Sequence, residues 1–202
     1  MPLFEHQGKR PQVHPTAFVA PNASLIGEVS IGAGSVVLFG AILAAETGPI
    51  SIGCQCVIME NAVLRGVSRH PLVIEDHVLV GPHAHLTGCL VQREVFVATG
   101  ACAFNGAVLE TKSTVKIQGI VHVRTRLPAE SVVHIGWIAV GDPAEILPPE
   151  AEPRLTALLR ERNFMKTVFG QQERSVKRMA ETYSRSLQSY RTLSCVSDGE
   201  AL

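Results

Sequence analysis

The sequence predicts an all-β fold, a parallel β-helix of hexapeptide repeats, with α-helices at its carboxy end. Three observations carry that reading. Aliphatic residues return every six positions from Val19 to Leu109, glycine follows several of them, and beyond Ala151 the period becomes that of a helix.

The first run of the repeat is Val19, Leu25, Ile31, Val37 and Leu43. It resumes at Ile52, Ile58 and Leu64, again at Ile74, Val80 and Leu86, and then at Val91, Val97, Ala103 and Leu109. A unit this short cannot bury its apolar side alone, so it must stack on its neighbours, three hexads to a triangular turn. An ordinary sandwich would instead alternate over several residues and show turn clusters every ~8–12 residues. Gly27, Gly32, Gly53 and Gly81 fall where corners are expected, and backbone freedom is the reason assigned to them.

Two insertions interrupt the count. AAETGPIS, Ala44 to Ser51, and RGVSRHPLV, Arg65 to Val73, are read as loops thrown out from the coil, the kind of place where binding groups collect. Past Leu109 the pattern is read as looser, through Val115, Val121 and Val132, until prolines stop it at GDPAEILPPE. Leu155, Leu158, Leu159, Met165 and Phe169 then share one helical face. After Gly170, so do Val176, Met179, Ala180, Tyr183, Leu187 and Tyr190. The expected organisation is a coil over 1–148, two amphipathic helices over 149–192 packed on the coil or on a neighbouring subunit, and a disordered tail over 193–202.

Composition agrees with a narrow, repetitive core: apolar residues make up 46% of the chain but aromatics only 5%. Formal charge is zero, yet unevenly placed, with nine Lys and Arg against twelve Asp and Glu in residues 1–150 and nine against four in 151–192. The basic residues of the tail follow a helical pattern without interleaved stacking aromatics, so solvated helix faces are expected and nucleic acid is not. No segment approaches the roughly 18 apolar residues of a membrane span, and no basic start precedes an apolar run. No membrane association is expected, and the cytoplasm is the expected compartment. Cys54, Cys56, Cys89, Cys102 and Cys195 lack paired zinc-site spacing and read as reduced, structural thiols.

Ile74 to Cys89, IEDHVLVGPHAHLTGC, resembles the zinc-binding segment of the γ-class carbonic anhydrases, Val-Gly-His-x-Ala-x-Leu-His-Gly-Cys. HPTAFVAPNASLIGEVSIG and GDPAEIL are similar to that family's opening and closing, and the resemblance runs over most of residues 12–146. It implies a left-handed winding and a homotrimer whose sites lie in clefts between subunits. It also implies three metal-binding histidines, and here those positions hold Arg65, Pro82 and Thr87. The family's Arg-Gly-Asp segment is Ala44, Ala45 and Glu46, and its Gln-Asp pair is Met59 and Glu60. A catalytic zinc needs three protein donors and an open position for water. Proline has no side-chain donor, threonine is a poor one and arginine is a permanent cation, so no zinc and no zinc-dependent hydration are expected there.

Counting by turns places Ala44, Arg65, Thr87 and Phe104 in one column, with Glu46 and Glu60 nearby as candidate ligand-binding residues beside Arg65 and Thr87. Arg65 has two readings: it neutralises the carboxylates that once faced a cation, or it grips a small anionic ligand through its planar fork. His77 and His83 point from different faces, His85 stacks on Cys102, and His70 is left unplaced in its loop. The first functional reading is a divergent, non-zinc homotrimer with a scaffold or small-anion role. The alternatives are an acyltransferase or thioesterase using coenzyme A, with His83 or His85 as the catalytic candidate, and a metal site rebuilt elsewhere from histidines.

Overall fold

Strands of two to four residues alternate with tight corners and wind the chain into a left-handed parallel β-helix with three flat faces. The structure is a computed structural model and describes residues 3–170 and 175–196. The first face carries Leu3–Glu5, Ser24–Ile26, Ile42–Ala45, Val63–Gly66, His85–Thr87, Cys102–Ala103, Ile120–Val121 and Ile138–Gly141, all in parallel register. The second runs from Gln12–Val13 to Arg126–Leu127 and the third from Phe18–Val19 to Val132–Val133, seven strands each.

The inward ladder of the sequence is the core. Leu25, Leu43, Leu64 and Leu86 stack on the first face, Ile52, Ile74, Val91 and Leu109 on the second, and Val37, Ile58, Val80 and Val97 on the third, all almost wholly buried. Burying each such side chain favours folding by about 1.5–3 kcal/mol. Ala41, Ala62, Ala84 and Ala101 are also fully buried and stack before the first-face strands. The inner corner they fill is too narrow for rings, which accounts for the scarcity of aromatics. Past Leu109 the period does not loosen: the inward residues are Val115, Val121, Leu127, Val133 and Ala139, and Val132 is the half-buried neighbour.

The glycines work differently from the expectation. Gly27 does adopt a left-handed φ of 76°, but Gly32, Gly53 and Gly81 do not. Positive φ is carried instead by Gln55, His77, Glu94, Lys112 and Glu130 at equivalent corners. What excludes a side chain at Gly32 is proximity: a Cβ there would lie 2.5 Å from the Gly53 carbonyl oxygen of the next coil.

Both insertions are shorter than the sequence suggested. Ala44–Ala45 pairs with Arg65–Gly66, and Ile50 pairs with Leu72, so the excursions shrink to 46–49 and 67–71. The two loops stack, with the Ser68 N–H donating to Thr47 Oγ1 at 3.0 Å.

The expected first helix is two. Helix α1, Arg154–Arg162, buries Leu155 and Leu158 against Val140, and α2 spans Phe164–Phe169. They are split at Asn163, whose φ is 43° and whose side chain accepts from the Lys166 N–H. Helix α3, Val176–Ser186, begins at a Ser175 cap and runs into a 3-10 turn, Leu187–Thr192. None of its residues is buried. Of the tail expected to be disordered, Ser194–Cys195 pairs antiparallel with Leu3–Glu5 and Val196 is buried, while 197–202 lie outside the described residues. Both ends of the first face are thus covered by antiparallel strands, Ser194–Cys195 at one edge and Ala144–Leu147 at the other, which removes two open edges.

Candidate functional site

Arg65 lies at the centre of the first face, in register with Ala44 on one side and Thr87 on the other. The column deduced by counting is present, and Phe104 continues it beyond Thr87. Glu46 enters from the 46–49 loop. The residue is only 7% exposed, and its carboxylate accepts from the Arg65 guanidinium. Tyr183 of α3 completes the group: its hydroxyl accepts from the same guanidinium nitrogen and donates to Glu46 Oε2 at 3.2 Å, while its ring centroid lies 5.8 Å from Arg65 Cζ. Burial works against the charge on Arg65, but the bonds to Tyr183 and Glu46 outweigh it and hold the guanidinium's pKa above its ordinary value. Such a group is a fixed cation with its counter-charge built in.

Thr87, 7% exposed, is bonded sideways to His85 at 2.8 Å. Burial, and then the Arg65 charge, push the His85 pKa down, so this imidazole is neutral near pH 7. His85 is in register with Cys102, yet the Cys102 thiol donates to the Gly100 carbonyl, and burial raises its pKa. That is the opposite of an activated thiolate.

The remaining candidates lie elsewhere. Glu60, Pro82 and His83 belong to another corner: the His83 N–H donates to the Glu60 carbonyl, and Pro82 lies two residues past the Leu79–Val80 strand of the third face. His83 is exposed there, with a φ of 56°. Among the described residues the Arg65 side chain bonds to Glu46 and Tyr183, and no hydrogen bond or ion pair joins it to Glu60. His70, unplaced from sequence, packs over Gly88 and Gly106, where a Cβ would meet it at 2.7 and 3.1 Å. Burial and the charges of Arg69 and Arg124 lower its pKa. With Glu46, Tyr183, Asn105, Arg69 and Ser68 it lines a cavity of about 290 Å³ beside the Arg65 group.

Tyr183 and Asn105 were missed by sequence reasoning. Tyr183 carried only a helical-face signal, since 118 positions separate it from Arg65. Asn105 gave no signal; it is 4% exposed and its side-chain Oδ1 has no hydrogen-bond partner.

No family model matches the chain. It is 35% identical over 145 residues to the mitochondrial γ carbonic anhydrase 1 of Arabidopsis thaliana, covering 69% of this chain and 50% of that protein. In sequence the coil is similar to the γ-carbonic anhydrase-like hexapeptide-repeat proteins. It is also 31% identical over 121 residues to the carnitine operon protein CaiE of Escherichia coli K12, covering 60% of this chain and 62% of that one. Among solved structures, one from Bacillus cereus, provisionally named an acetyltransferase, has a TM-score of 0.53 at 20% identity over 92% of this chain and 98% of its own, a likeness of fold alone. This γ-carbonic anhydrase-like chain spans about half the length of the plant relatives it matches.

Zinc, the metal the family implies, does not fit the residues at its position. The Arg65 guanidinium stands there in an ion pair with Glu46, and the Thr87 hydroxyl beside it is already bonded to His85. A dication beside that guanidinium would meet charge repulsion and find, in place of three imidazoles, only that of His85, already bonded to Thr87. Within one chain no cluster of three His, Cys, Asp or Glu is placed to hold an ion among the described residues. No helix among the described residues is long and apolar enough to cross a membrane.

Proposed function

We propose that this protein is a homotrimer that has given up zinc-dependent carbon dioxide hydration and acts as a scaffold or assembly partner. The observation that carries the reading is the Arg65–Glu46 pair under Tyr183, which puts a permanent, already neutralised cation where a hydratase keeps its ion. The homotrimer is supported by an exposed apolar column on the third face, where Phe18 and Phe96 are 49% and 41% exposed. Pro82 and Glu60 lie at the end of that face. In a trimer they would approach the Arg65 of the adjacent copy.

Small-anion binding is a second reading with its own support. Arg65 engages its partners through one nitrogen, leaving N–H groups on a partly exposed guanidinium, and the neighbouring cavity offers Arg69 and Ser68. Acyl transfer with coenzyme A and His83 or His85 as base has less support. His83 is on an exposed corner, and His85 is turned to Thr87. Five unpaired thiols suit a reducing compartment, the cytoplasm in the simplest case.

Elemental analysis, carbon dioxide hydration and mass measurement on the purified protein test the reading together. Three chains, no stoichiometric metal and no hydration above background are expected. Stoichiometric zinc with measurable hydration, or a monomer, would overturn it.

A further inference from the structure

We propose that the groove between His122 and the α1–α2 elbow is a binding site for a small organic carboxylate with an apolar body. The groove encloses about 570 Å³, within the range of small-molecule sites. One wall is apolar, made by Leu159, Phe164 and Met165, and the polar groups are concentrated at His122, Arg160 and Asn163. The bend at Asn163 creates the concavity, because its left-handed backbone turns α2 away from α1 and sets the Phe164 ring 5.7 Å from the His122 ring.

Two buried nitrogens here lack partners: His122 Nδ1 and Arg162 Nε. Buried polar atoms in folded proteins are nearly always bonded, and of these two residues His122 also lines the groove. Burial, then the charges of Arg162 and Arg124, lower the His122 pKa and keep its ring neutral. A neutral ring offers a single N–H, and among the described residues no hydrogen bond engages either ring nitrogen of His122. Arg160, in the last turn of α1, has no acidic partner among the described residues. Arg162 is already committed by its Nη1, which donates to the Arg124 carbonyl at 3.2 Å. The lining therefore offers one free cation, one neutral donor and a hydrocarbon wall. That combination matches a monocarboxylate with an aliphatic or aromatic body, and it suits inorganic phosphate poorly. Phe104 separates the groove from Thr87 and Arg65 in the first-face column, so the proposal stands apart from the fate of the Arg65 site.

Calorimetric titration of the full chain with octanoate and with benzoate, alongside octan-1-ol and inorganic phosphate, reads the site directly. His122 ring resonances report where the ligand lies. Saturable binding of one of the carboxylates is expected, with His122 shifts and about tenfold weaker affinity in both Arg160→Ala and His122→Gln, the loss of a charge-assisted hydrogen bond. Absence of saturation, equal affinity for octan-1-ol or phosphate, or binding unchanged in both variants would overturn the proposal. Circular dichroism and mass of each variant verify that the coil and its assembly persist, and the surface position of Arg160 keeps that variant informative if His122→Gln fails to fold.

Discussion

Glu46, in the loop that leaves the first face, and Arg65, one coil on, share a buried ion pair, and the carboxylate is much the more deeply buried partner, with side chains 8% and 28% exposed respectively. The asymmetry determines which substitution is costly. Removing the arginine strands a buried charge, whereas removing the glutamate frees a cation that can still reach water.

Arg65→Ala is therefore expected to destabilise the protein by about 2–4 kcal/mol, at or below the usual range for breaking a buried pair because Arg65 keeps some exposure. The double variant Arg65→Ala, Glu46→Ala should recover part of that loss, and denaturant titration of all three proteins measures the coupling. Additive effects would mean that the pair is not a unit.

Tyr183→Phe keeps the ring over Arg65 and removes only the hydroxyl. About 1 kcal/mol of stability should go, with the molecular mass in solution unchanged, and hydrogen exchange in α3 should rise. An unaltered exchange pattern would show that α3 is held by something else.

Restoring histidine at Arg65, Pro82 and Thr87 together removes the cation and supplies three donors. Zinc binding at micromolar concentration is the expected result, read by elemental analysis after dialysis. Arg65→His alone should bind far more weakly. A metal-free triple variant would mean that these three positions do not converge between subunits.

The coil's packing predicts an inverted glycine rule. Gly32→Ala, at ordinary φ but against the next coil's carbonyl, should cost about 1–3 kcal/mol, while Lys112→Gly, at a φ of 61°, should be neutral or stabilising by about 1 kcal/mol. Thermal midpoints of the two variants decide it.

His70 and His122 have pKa values lowered from 6.5, each chiefly by burial, with Arg69 and Arg124 facing the first and Arg162 and Arg124 the second. An imidazole that resists protonation when folded contributes stability that is present above the ordinary value and lost as pH falls below it. Unfolding free energy should decline from pH 6.5 towards 5, and less steeply in His122→Gln. Equal slopes would remove His122 from the effect.

Much of this was legible because a hexad admits one register. Val63, His85 and Cys102 are stacked neighbours by counting alone, and so are Ala44, Arg65 and Thr87. The period also survives past Leu109, where Leu127 and Val133 sit inward and Val132 is only half-buried. The helical break at Asn163 was hidden, since an asparagine inside an apolar periodicity gives little warning of a left-handed residue.

The amino-acid sequence by itself determined the winding unit and the inward ladder, because both follow from a period of six, and its resemblance to the γ-class carbonic anhydrases identified three positions without that family's histidines. Tertiary structure decided the rest. Tyr183 meets Arg65 only because α3 lies across the first face, the carboxylate of Glu46 is buried by loop stacking, and Glu60 stays on another corner. Contacts between residues far apart in the chain depend on how a helix docks, and no local periodicity encodes that.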